Sequence, residues 1–164
     1  MEHGARAKQL FLSGYNCAQS VFLAYQDEVG LDEATMLRLS SVLGGGMGGL
    51  REMCGAVSGM FLVMGQLYGY DDVTDKDAKA ALYRQLQAMA HAFEGAHGSF
   101  VCRELLGLPE GATPAPSART QAYYQDRPCA HLVESAARLL DQYMAENPPA
   151  TEVSGDGASF DAKP

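Results

Sequence analysis

Apolar residues recur at spacings of three and four through most of the chain, while strict alternation is missing, so the pattern predicts helices and no sheet. The longest stripe is Ala78, Leu82, Leu86, Met89 and Phe93, on a helix that a Thr74–Asp77 capping box would open. A second stripe, Leu132, Val133, Ala136, Leu139, Leu140 and Tyr143, predicts a last helix introduced by Asp126, Arg127 and Pro128. The proline falls in its first turn, where the missing N–H is harmless. Toward the N-terminus, residues 2–13 suit a short helix through Ala7, Leu10 and Phe11 that ends at Gly14. Asn16 caps a second helix with Cys17, Val21, Phe22 and Tyr25 on one face and Gly30 as its stop. Asp32 caps a third, through Leu37 and Leu39 to Leu43. Ser99 opens a short turn to Leu106, Gly107 and Pro109 break it, and residues 110–119 read as loop.

One segment departs from this amphipathic pattern. From Met53 to Tyr70 no residue is charged, a length at which a membrane span has to be considered. Gly55, Gly59, Gly65 and Gly69 interrupt it, Ser58 and Gln66 sit within it, and no cluster of Lys or Arg flanks it. The segment therefore predicts a helix from about Cys54 to Gly69, packed on all faces at the centre of a soluble bundle. The whole chain then reads as an all-α, single-domain helical bundle over residues 1–147. Residues 148–164 lack periodicity and are expected to form a disordered tail.

Composition narrows the partners. The chain of 164 residues is 47% apolar and 20% charged, with a formal net charge of -8, which argues against a nucleic-acid phosphate backbone. Neither nucleic acid nor membrane is expected as a partner. The N-terminal residues lack the basic-then-apolar order of a signal peptide, so a reducing, cytoplasmic setting without permanent disulfides is expected. The four cysteines then need another explanation.

Cys17, Cys54, Cys102 and Cys129 lie 37, 48 and 27 residues apart, which is neither a CxxC motif nor a zinc-finger spacing. Each falls in the predicted first turn of a helix. Unpaired N–H groups and the positive end of the helix dipole favour an anion there, and a thiolate is the form of cysteine that ligates metals or attacks disulfides. Just before Cys54 the run "GGGMGG" holds Gly45, Gly46, Gly48 and Gly49, whose bare backbone allows close approach to a ligand. Gly55, Ala56 and Gly59 leave room on the other side. With Arg51 and the loop amides beside it, Cys54 is expected to be the most thiolate-like of the four. Arg51 and Arg103 either offset thiolate charge or pair with carboxylates such as Glu52 and Glu104. His91, His97 and His131 read as surface or capping histidines. No Gly-Lys-Ser/Thr follows the glycine run, so a phosphate loop is not indicated. Buried free cysteine as a small hydrophobe is the competing reading.

The stretches "GYNCAQS", "GGGMGGLREMCGAVSG" and "HGSFVCRELLG", with the isolated Cys129 opening the last helix, resemble the redox-active proteins named for their C-GCAxxG-C-C pattern. The resemblance spans about residues 14–144 and picks out Cys17, Cys54, Gly55, Ala56, Gly59, Cys102 and Cys129. It implies redox chemistry without supplying a reaction. A related domain in split-Soret cytochromes accompanies an iron–sulfur centre, but this chain has no CxxCH, so covalent c-type haem is not implied. The expectation drawn from it is one four-cysteine site binding a [2Fe–2S] cluster, in an oxidoreductase or an electron-transfer protein that serves a redox partner protein. The alternatives are a metal-free thiol/disulfide protein or sensor, zinc in the same site, and a non-catalytic interaction module with structural cysteines. A homodimer is compatible with each.

Overall fold

The computed structural model describes residues 2–112 and 115–149. Among them the chain forms nine helices and no strand: α1 (His3–Leu12), α2 (Cys17–Ala24), α3 (Gln26–Val29), α4 (Glu33–Ser41), α5 (Gly55–Tyr68), α6 (Lys76–His97), α7 (Cys102–Leu105), α8 (Gln121–Asp126) and α9 (Cys129–Glu146). The expected tail lies, from residue 150 on, outside the described residues. None of these helices is long and apolar enough to cross a membrane.

Local chemistry explains most boundaries. Asn16 accepts from the Gln19 amide while Gln19 Oε1 accepts from the Asn16 amide, a full capping box that starts α2. Asp32 caps α4 through the Thr35 amide. The second predicted helix does not run unbroken to Gly30. It breaks at Tyr25, whose ring and hydroxyl are committed to the core, and a single further turn, α3, ends at left-handed Gly30. The cap of α6 is Asp75, accepting from the Ala78 amide; Thr74 instead bonds Asp72, so the Thr74–Asp77 box is not formed. Ser99 accepts from the Val101 amide, but α7 itself starts after Val101. In α4 the buried face is Met36 and Ser40, four residues apart, and Leu39 is turned outward. α8 lies where no element was expected, opened by Thr120.

Two helices share the centre. α5 packs against α2, α9, α6 and α3, and α1 lies across α9 and α2. The first half of α5 is buried on every side, from Gly55 through Met60. Its second half is not, because Phe61 and Leu62 are partly exposed and Gly65 and Gln66 face solvent, so the expectation of full enclosure holds only to Met60. α2 is as deeply enclosed, from Ser20 to Ala24. Gly59 makes their contact possible: a Cβ there would stand 2.7 Å from the carbonyl oxygen of Ala18 and 2.9 Å from Val21 Cβ. The core around this pair includes Phe11, Phe22, Met60, Phe93, Val133 and Leu140. Tyr25 adds a buried polar tie, its hydroxyl donating to the Ala137 carbonyl (2.6 Å) and Asp141 Oδ1 (2.7 Å).

Candidate thiol site

All four cysteines start helices. Cys17, Cys102 and Cys129 are the first residues of α2, α7 and α9, and Cys54 is the N-cap of α5. Four separate elements thus turn their N-termini inward, and the four side chains line one small cavity of about 50 Å³. Cys54, Cys102 and Cys129 are buried and Cys17 is partly exposed; all four are free thiols.

Cys54 and Cys102 are strapped together by backbone. Met53 and Val101 form an isolated antiparallel bridge. Around it the Cys54 amide donates to the Phe100 carbonyl (2.8 Å), the Cys102 amide to the Glu52 carbonyl (2.6 Å) and the Arg103 amide to the Arg51 carbonyl (3.0 Å). On the other side α5 meets α2 so closely that a Cβ on Gly55 would stand 2.9 Å from Cys17 Cβ. The bridge brings Cys102 to Cys54, and the glycine contact brings Cys17.

The glycine run answers to the same demand for closeness. Gly45, Gly46, Met47, Gly48 and Gly49 all have positive φ, as does Arg51. A Cβ on Gly46 would fall 2.6 Å from Cys102 Cβ and 2.8 Å from Arg51 Cα, so the loop passes directly over Cys102. Five of the loop's amides are used within the loop rather than offered to sulfur. Those of Met47, Gly49, Leu50, Arg51 and Glu52 donate to backbone carbonyls within the segment from Leu43 to Met47. Gly45, Gly46 and Gly55 line the small cavity, and Gly48 and Gly49 line its wider mouth. Ala56 and Gly59 line neither; Ala56 is buried in the core and Gly59 serves the α2–α5 contact.

The order of thiol acidity also differs from expectation. Burial pushes Cys54 up to about 12, against the lowering influence of the Ala56 and Val57 amides, so it is not the most thiolate-like cysteine. Cys102 is raised by burial despite a hydrogen bond from the Arg51 side chain. Cys17 and Cys129 act on each other and shift in opposite directions, Cys17 up and Cys129 down, with Arg127, Arg119 and Arg51 adding positive charge beside Cys129. That charge favours the thiolate on Cys129.

Sequence reasoning missed Arg119 and Arg127, which the fold brings to the cavity from the loop before α8 and the turn before α9. Arg103 pairs with Glu52 (3.0 Å), and Glu104 accepts from Ser99 Oγ. His97 bonds Ser135 Oγ (2.7 Å) and His91 pairs with Glu94; no histidine lines the cavity among the described residues. As metal donors the four thiols are of a suitable soft kind. Among the described residues no three Cys, His, Asp or Glu side chains are grouped as the ligands of a single metal ion.

Over residues 15–143 the chain matches the family described as "Putative redox-active protein (C_GCAxxG_C_C)", and it belongs to that family. Neither the curated proteins nor the solved structures contain a significant match to it.

Proposed function

From that membership we propose that the chain acts as a thiol-based oxidoreductase, cycling Cys17 and Cys129 between dithiol and disulfide. The observation that carries this reading is that Cys17 and Cys129 line one small cavity with Arg51, Arg119 and Arg127, whose positive charge favours a thiolate on Cys129. A thiolate with a pKa near ambient pH is the efficient attacking form, and its neighbour is placed to resolve a mixed disulfide. Cys54 and Cys102 line the same cavity and are expected to stay reduced at the start of oxidation. A reducing, cytoplasmic compartment suits this chemistry, since it keeps such cysteines as free thiols.

A second reading is favoured by a different feature, the opening of four cysteines from four elements onto one cavity. In it Cys17, Cys54, Cys102 and Cys129 hold a [2Fe–2S] cluster, which when bound supplies one-electron transfer with a partner protein. The four thiols suffice in number for such a cluster, two to each iron.

Anaerobic purification followed by absorption spectroscopy and iron and sulfide analysis separates the two. The dithiol reading predicts a colourless protein that loses two thiols on mild oxidation, with Cys17 and Cys129 cross-linked in the peptide map. A brown protein with stoichiometric iron and sulfide would overturn it in favour of the cluster.

A further inference from the structure

Next to the thiol cavity lies a larger cleft of about 530 Å³, within the size range of small-molecule sites. The two share Asn16, Gly45, Arg51, Arg119, Tyr123 and Arg127 as lining residues, so the cleft is the mouth of the cavity. Its charge is opposite to that of the chain. The protein carries 20 Asp and Glu against 12 Lys and Arg, yet three arginines and no described carboxylate line this mouth. Two of the arginines, Arg119 and Arg127, are also held by stacking and hydrogen bonds. The Arg119 guanidinium lies over Phe11 and Tyr123, 4.8 Å from each ring centre, and Arg127 lies 4.6 Å from Tyr123. Arg119 donates to the Tyr15 carbonyl and Arg127 to Ser117 Oγ, both at 3.3 Å. Among the described residues neither makes an ion pair with a carboxylate. Stacked guanidinium groups without carboxylate partners leave their charge for a ligand.

We propose that this cleft binds a small anionic disulfide, one whose carboxylates meet Arg119 and Arg127 while its S–S bond reaches Cys129. The proposal rests on the thiol reading above and adds the substrate class. The Cys129 thiolate attacks one sulfur of R–S–S–R; that S–S bond breaks, RS⁻ leaves, and a mixed disulfide forms. Cys17 then releases its proton to solvent and attacks the Cys129 sulfur, expelling the second RS⁻. The substrate gains two electrons to give two thiols, and the protein loses two as the Cys17–Cys129 disulfide forms.

The test uses the full chain, purified anaerobically and reduced, with three probes: dithiobis(nitrobenzoate) as the anionic disulfide, dithiodipyridine as the neutral one and cystamine as the cationic one. Each rate is normalised to that of a simple thiol, mercaptoethanol, with the same probe. The expected result is a normalised preference for the anionic probe. It should shrink by about threefold to fivefold with Arg119→Gln or with Arg127→Gln, and return in the corresponding lysine variants. Because both arginines also favour the Cys129 thiolate, the neutral probe's rate should fall with the thiolate fraction in these variants; the preference is therefore read as the anionic-to-neutral ratio, in which that fraction cancels, and circular dichroism reports that they are folded. Independently of any variant, raising salt from about 0.01 to 1 M shortens the screening length from about 30 to 3 Å and should erase the wild-type preference. Equal normalised rates for all three probes, with the Cys17–Cys129 disulfide still formed, would overturn the anion site and leave the thiol reading standing. Failure of any probe to yield that disulfide would overturn the thiol reading itself.

Discussion

Replacing Gly46 by alanine separates two reasons for a glycine at this site. The residue has φ of +68°, and a Cβ there would stand 2.6 Å from Cys102 Cβ and 2.8 Å from both Arg51 Cα and the Glu52 nitrogen. Gly49 provides the control, since it also has positive φ (+85°) but nothing within 4 Å of its Cβ position. For an L-residue the left-handed conformation costs about 1–2 kcal/mol, and both substitutions carry that penalty. Only Gly46→Ala adds overpacking against backbone atoms that have no flexible end to swing away, for about 1–3 kcal/mol more. The expected losses are therefore about 1–2 kcal/mol for Gly49→Ala and about 2–5 kcal/mol for Gly46→Ala. Urea denaturation of both variants and the parent, compared at unchanged m-value, measures the difference. Gly46→Ala should also expose Cys102 to alkylation, because the loop must lift off it. Equal losses in the two variants would refute the claim that the glycine run exists to let backbone cross Cys102.

Gly59→Ala gains about 1 kcal/mol of helix propensity but sets a methyl 2.7 Å from the Ala18 carbonyl oxygen, an overpacking of about 1–3 kcal/mol, so denaturation should show a net loss of up to about 2 kcal/mol and no gain. Tyr25→Phe deletes a hydroxyl donating to Ala137 and Asp141 and should lower stability by about 1–2 kcal/mol in the same assay. Alkylation with iodoacetamide, mapped by mass spectrometry from pH 5 to 9, should show Cys129 gaining reactivity through about pH 7 as its thiolate forms. Cys54 should remain inert across that range, since burial holds it protonated up to about 12.

Much of this site was legible as spacing and punctuation. Asn16 before Cys17 and Pro128 before Cys129 marked two of the four helix starts, and the glycine run marked close approach of backbone to something nearby. What lay nearby was Cys102, which no local pattern could identify, because the Met53–Val101 bridge joins segments about 50 residues apart with a single pair of residues. The acidity order failed for a related reason. A helix N-terminus is a local feature and favours the thiolate at Cys54, but its burial is set by α2, α5 and the Phe100 segment together, and desolvation outweighs the local amides. Arg119 sits in a stretch that composition marks as loop. Its role comes from stacking on Phe11 and Tyr123, which are far apart in the chain. Thr74 and Asp75 compete for the same capping position, and the aspartate prevails because Thr74 is already engaged by Asp72.

The pairing of Cys17 with Cys129 is tested most directly by equilibrating the reduced full chain across a graded series of dithiothreitol redox buffers. Thiols are trapped by alkylation at each step, and the peptides are mapped by mass spectrometry. The predicted result is one two-electron transition in which Cys17 and Cys129 become cross-linked within the chain while Cys54 and Cys102 are still alkylated. A first transition that joins Cys54 to Cys102, or one that leaves Cys17 and Cys129 alkylated throughout, would contradict it.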